Sequence, residues 1–450
     1  MRRGVAELFR RPAETAEAWR AGLAHDVAQS QRNVGDYRDV LARRQRRASR
    51  AVDTQRRAAE LLGLAEIRSF ADVPHSVEHL TALLAIGSLP AGLVPTLRDL
   101  LIRLADAPAA PPPSLFTEAL ELMPGVGRRR SRARVYAKIA WLHHCARDTD
   151  AAIRCCEAGL SELGWVSRVT DPFRDRLRDV PEIEPRARET TIELASLLSA
   201  ARARRSGLDA ATGLLDDLRG RLGGAILPHQ AEMLALSEAN AHFEAGCFEH
   251  AERCYGDIHD RVCALGLGET SAVIPSLTGL AACFIELDLG GEASGAAKRV
   301  LSLECEPLTG GVARAREFCE YVIADCTRRK GELDAADRLA KTLVAQAHDP
   351  LVRASATRVA AEIALERDDV PTALELAKRA VAVACDLVGD DACIAPELSI
   401  LARAQAVGDL AAAEASYRRA ASLSYPPGHP HAQRAARELA SHLERQDYSP

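Results

Sequence analysis

Residues 235–255 read ALSEANAHFEAGCFEHAERCY, with small and aromatic side chains recurring at helical spacings on either side of Gly246. Ala235, Ala239 and Ala251 give each segment a narrow face, and Phe243, Phe248 and Tyr255 supply bulk beside it. A narrow stripe lets a second helix approach closely, so the stretch reads as two short helices folded back on each other at a glycine. The unit recurs. Aligned on the alanine that opens the second helix, copies fall at Ala152, Ala211, Ala251, Ala293, Ala336, Ala373 and Ala413, with steps of 40, 42, 43, 37 and 40 residues from Ala211 onward. Turn-forming residues precede each anchor: Asp148, Gly207, Gly246, Asp288, Gly331, Asp368 with Asp369, and Gly408 with Asp409.

Small residues in both helices, a glycine or acidic turn between them and a late aromatic such as Tyr255 or Tyr417 resemble the tetratricopeptide repeat. The steps exceed that repeat's usual length of about 34 and approach those of HEAT and armadillo units, so the resemblance is to a long-period variant. It implies an all-α fold: a right-handed α-solenoid of stacked helical hairpins, about seven of them from residue 128 onward, preceded by an N-terminal helical region. Three stretches are expected. Residues 1–64 form a long basic helical segment. Residues 65–113 form a helical hairpin, SVEHLTALLAI and AGLVPTLRDLLIRLA around Gly87 and Pro90, closed by the stiff linker APAAPPP. Residues 114–450 form the array. Its first step is 59 residues and holds the proline-bearing insert WVSRVTDPFRDRLRDVPEIEPR, and a more polar helix over 431–445 caps its end.

Composition agrees with helices. Of the 450 residues 47% are hydrophobic but only 4% aromatic, which suits alanine- and leucine-rich helical packing and starves a β core. A net charge of −5 offers no global attraction to nucleic acid. No run of about 18 apolar residues suggests a membrane span, and the N-terminal arginines lack the apolar region of a secretory signal. The 12 cysteines follow no framework spacing, which fits a reducing, cytoplasmic setting.

Catalysis finds no support. The stretch PGVGRRRSRAR at 124–134 has glycines but no Lys-Ser/Thr pair to complete a phosphate loop, and reads as a helix end followed by a basic helix start. His143, His144 and Cys145 face Cys155 and Cys156 across a turn, yet their spacing matches no zinc module, and small buried thiols explain the cysteines better. No nucleophile elbow or metalloprotease helix occurs, so the chain is read as a non-enzyme with no cofactor or metal.

In tetratricopeptide proteins the first helix of each hairpin lines a groove. Carried residue by residue onto this chain, that resemblance selects Arg134, Trp141 and His144, then Asn240, Phe243 and Glu244, then Thr278 and Glu286, then Tyr321, Asp325, Arg328 and Arg329, then Arg358, Glu362 and Glu366. Aromatic anchors beside both charge signs suit a peptide or helical segment of a protein partner, so the expected function is a protein–protein interaction scaffold or adaptor. Tyr321→Ala with Arg328→Glu is expected to abolish capture with little loss of stability. The alternative is a peptide-sensing or signalling regulator whose basic N-terminal helix engages nucleic acid, an anionic surface or an effector. Its arginines are Arg43, Arg44, Arg46, Arg47, Arg50, Arg56 and Arg57, for which a solvated face is the simpler account.

Overall fold

The computed structural model describes residues 34–51, 53–69, 72–107, 110–123, 129–165, 187–222, 227–304, 310–388, 394–423 and 429–447. Helices are the only extended elements among them. The expected insert at 165–186 and the glycines at 125 and 127 lie almost wholly outside these residues. The chain divides into two compact units, residues up to Leu142 with Ser161–Gly164, and His143–Leu160 with Trp165 onward.

In the first unit the helices are α1 (Val34–Arg50), α2 (Thr54–Arg68), α3 (Val73–Leu84), α4 (Val94–Ala105) and α5 (Pro113–Glu121), followed by most of α6 (Arg129–Cys145). Asp53 starts α2 by accepting from the amides of Gln55 and Arg56, and Asp72 starts α3 by accepting from that of His75. The closest partner of α3 is α2 rather than α4, so the hairpin expected around Gly87 is replaced by a pair one helix earlier. Its contact is made tight by Ser76, fully buried, whose hydroxyl donates to the carbonyl of Ala65 at 2.6 Å. The boundary between units falls inside α6 and not at the proline linker. The physical reason is that Arg132 of α6 donates to the carbonyl of Leu120 and pairs with Glu162 at 2.7 Å, while Lys138 pairs with Asp106 at 3.3 Å.

The second unit is the repeat. After α7 (Thr149–Glu162) come six helical hairpins: α8 (Arg188–Ser206) with α9 (Leu208–Leu222), α10 (Pro228–Glu244) with α11 (Phe248–Ala264), α12 (Ile274–Glu286) with α13 (Gly290–Ser302), α14 (Gly310–Arg329) with α15 (Leu333–Gln346), α16 (Pro350–Glu366) with α17 (Val370–Val388), and α18 (Ala395–Gln405) with α19 (Leu410–Ser422). A final helix, α20 (Pro430–Asp447), packs on α19. Every anchor alanine is the fourth residue of its helix, and all seven have zero exposed surface.

The turns repeat with equal fidelity. Arg147, Gly207, Gly246, Asp288, Gly331 and Asp368 all take positive φ, between 58° and 91°. At five of these turns two bonds close the first helix in the Schellman manner; around Gly246 they run from Cys247 N–H to His242 C=O and from Gly246 N–H to Phe243 C=O, both 2.9 Å. Opposite Tyr255 the next helix must come very near. A Cβ on Gly279 would lie 2.5 Å from the Tyr255 ring, so only glycine fits there.

Candidate functional site

The first helices α14, α16 and α18 place their charged residues against one another, and the turn that follows α12 joins them through Asp288. Asp325 on α14 has no exposed surface. It accepts from Arg328 at 2.9 Å and from Arg329 at 2.9 Å, one turn along its own helix. Arg328 then crosses to α16, reaching Glu362 at 2.9 Å and Glu366 at 2.5 Å, while Arg329 turns back to Asp288 at 2.5 Å. Arg358 continues the ladder, pairing with Glu362 at 2.8 Å, donating to the Tyr321 hydroxyl at 2.6 Å and lying 3.8 Å from Glu397 of α18.

Burial and pairing oppose each other in this ladder. Burial pushes the Asp325 carboxyl up, but Arg358, Arg329 and Arg328 together outweigh it and hold the group below the usual carboxylate range. Tyr321 is pushed well above an ordinary phenol by burial. Glu397 is raised, chiefly by burial, because Arg358 is too far to compensate fully.

A second cluster surrounds Glu244 at the end of α10. Arg204 grips it with two bonds of 2.7 and 2.8 Å, and Arg147 adds two of 3.0 and 3.1 Å. Burial raises this carboxyl, and the two guanidiniums reverse the shift to well below its ordinary value. His144 beside them is kept neutral by burial and by Arg204, its pKa lowered to about 3.

The third arrangement involves α20. Its first turn sits on the end of α12, with His431 3.0 Å and Arg434 4.0 Å from Glu286. His429 and His431 each meet the Phe248 ring in a T-shaped arrangement, at centroid distances of 6.1 and 5.9 Å. Pro430 and His429 press on the α10–α11 turn so closely that a Cβ on Gly246 would lie 2.6 Å from Pro430. Farther along, Glu438 accepts from Ser399, and His442 packs on Tyr417 with centroids 5.1 Å apart.

The groove residues selected from sequence thus divide. Tyr321, Asp325, Arg328, Arg329, Arg358, Glu362 and Glu366 do come together, but mainly on each other. Tyr321, expected as an exposed anchor, is buried, because Arg358 closes over its hydroxyl. Tyr321→Ala with Arg328→Glu would therefore break a buried network, which corrects the expectation of unchanged stability. Asn240 accepts from the buried Tyr255 hydroxyl at 2.5 Å, and Phe243 packs on Phe248 at 5.3 Å. Arg134 is exposed, while Trp141 and Thr278 are half-buried. Among the basic residues of the first unit, Arg44 is buried against Glu60 at 3.1 Å, whereas Arg43, Arg46, Arg47, Arg50, Arg56 and Arg57 are exposed. Arg147, Arg204, Glu397, His429 and His431 escaped the sequence reading. Arg204 and Arg147 stand at helix ends like many solvated arginines, and nothing local marks α20 as reaching α12.

Among the described residues no three His, Cys, Asp or Glu gather as metal ligands, and no helix is long and apolar enough to cross a membrane. Cys145 is pushed up to about 11 by burial and lies 3.1 Å from Arg314, and Cys156 is buried.

Paired helices, a repeated left-handed turn and an invariably buried alanine on the fourth residue of each second helix decide the architecture. The fold is tetratricopeptide-like. No protein-family description matches the chain, and no curated protein does. Solved structures similar to it include a tetratricopeptide repeat protein from Parabacteroides merdae, 12% identical over 69% of this chain and 99% of that one, with a TM-score of 0.38. Also similar are a Rap protein in complex with competence and sporulation factor, 11% identical over 97% and 98% at 0.36, and yeast Tom70, 13% identical over 77% and 62% at 0.41.

Proposed function

We propose that this chain is a non-enzymatic scaffold that holds a helical segment of a protein partner against the first helices of its hairpins. One observation carries the reading. The end of α12 and the start of α11 already hold a helix end, the first turn of α20, through His431 on Glu286 and its T-shaped contact with Phe248. In this reading Phe243, Phe248 and Glu286 make contact, and the ladder from Tyr321 to Glu362 fixes the spacing of α14 and α16, the next first helices along the array. Arg134 and Trp141 are proposed as a second contact area. The test is selection of helical peptides from a displayed library by the full chain, both native and with His431→Ala and Arg434→Ala. Recovered binders that lose affinity on Glu286→Ala support the reading, and a library yielding none sinks it.

A second reading, a basic surface for nucleic acid, is favoured by one observation. Six exposed arginines cluster where α1 meets α2 with only Asp53 among them, and Asp53 is engaged by amides. Duplex DNA and anionic vesicles titrated at low and high salt decide it, since phosphate contacts weaken steeply with salt.

A further inference from the structure

The sequence of α20, PHAQRAARELASHLERQD, offers two large apolar side chains, Leu439 and Leu443, and neither is fully buried. By contrast α16 buries Val352, Val359 and Ile363 together with several alanines. What holds α20 is mainly polar or small: His431 on Glu286, Glu438 on Ser399, His442 against Tyr417, and Ala435 buried among Ala395, Leu398, Ala420 and Leu423. On α20 itself His431, Ala435, Glu438 and His442 follow one another by four, three and four positions, which places them on a single helical face.

The surface beneath is assembled from distant parts of the second unit. Phe248 begins α11, Glu286 ends α12, Ser399 lies on α18 and Tyr417 on α19. A cap on the last hairpin needs only the last two. Few apolar contacts and replaceable polar ones make an element that opens at low cost.

We propose that the surface formed by Phe248, Glu286, Ser399 and Tyr417 is a docking site for an amphipathic helix of a protein partner, and that α20 is its resident competitor. The partner helix carries an imidazole or cation in its first turn, a small residue four positions later and a carboxylate three beyond that. Reversing such a helix would set its carboxylate against Glu286, so the direction is fixed as well as the register. The inference rests on the scaffold reading and adds the partner's register and the segment it must displace. A tethered segment competes at an effective concentration on the order of millimolar, which holds off any free helix of equal intrinsic affinity.

The probe is a fluorescent synthetic peptide of residues 429–447, its anisotropy titrated with the full chain. Native chain binds it weakly. His431→Ala with Arg434→Ala removes both partners of Glu286, and Ala435→Arg wedges α20 from its core; either raises apparent affinity at least tenfold, and adding Glu286→Ala reverses the gain. Amide exchange across 430–447 verifies that α20 has lifted. A lifted α20 with unchanged peptide affinity, or affinity indifferent to Glu286→Ala, overturns the proposal. Concentration-dependent dimers of the lifted variants, seen by light scattering, also overturn it, since the occupant is then a second copy. A chain that fails here yet still selects library helices leaves the scaffold reading standing, and one that selects none removes both.

Discussion

Arg358 on α16 donates to the hydroxyl of Tyr321 on α14 at 2.6 Å, joining two first helices that are 37 residues apart in sequence. Neither residue is free to meet a partner without releasing the other. Arg358→Met would leave the buried Tyr321 hydroxyl without its 2.6 Å donor and Glu362 with Arg328 alone at 2.9 Å, so the cost should lie near about 3 kcal/mol, the low end for losing half of a buried pair. Chemical denaturation should show that loss. A variant within 1 kcal/mol of native, on the order of an ordinary surface change, would mean that the ladder does not stabilise the fold.

The anchor alanines make a sharper test of the repeat. Ala251→Arg must overpack a position with no exposed surface and bury a charge, so it should cost about 3 kcal/mol or more. Ala245→Arg, at a half-buried site on the neighbouring turn, should cost much less. Equal melting curves for the two would count against the register.

Much of this was legible beforehand for a simple reason. The alanine and the turn residue act locally, through the room they leave and the φ they accept, so all seven anchors could be placed without knowing any neighbour. The charged groove residues could not be read in the same way. Arg328 and Glu362 show the right face of the right helices, but whether each faces solvent or the other depends on how closely α14 and α16 approach. Sequence spacing does not encode that distance. The contact of His431 with Glu286 spans 145 positions and four intervening hairpin steps, with no periodic signal at all.

The turns differ in what they tolerate. Asp368 holds φ 58° in an exposed turn, so Asp368→Gly should relieve left-handed strain and gain about 0.5 kcal/mol net of glycine's entropy. Gly246→Ala should lose at least about 2 kcal/mol, since φ is 81° and its Cβ meets Pro430. Thermal melts of the two single variants should move in opposite directions.

Acid should weaken the fold in two stages. Burial holds His144 at about 3 and His429 at about 4, so both stay neutral in the folded chain while the unfolded chain takes up protons below about pH 6.5. Stability is therefore complete above that pH and falls toward pH 4, by at most about 1.4 kcal/mol per pH unit for each imidazole. Glu244 and Asp325, held low by arginines, add their loss only below about pH 4. Urea midpoints at about pH 7, pH 5 and pH 3 should separate the stages. His144→Gln with His429→Gln should flatten the first, and an undiminished drop would assign it to other groups.

Arrays of repeats ordinarily come apart piecemeal, because each unit is coupled only to the next. The ladder from Asp288 through Arg329, Asp325, Arg328, Glu362 and Arg358 to Glu397 shares guanidiniums between successive carboxylates, so no rung can be released alone. The hairpins between α12 and α19 should consequently lose their structure in a single concerted step, while α8 and α9 fray earlier. Salt, by loosening only the exposed carboxylates that the ladder's arginines hold, Asp288 and Glu366, should lower the temperature of that step without splitting it.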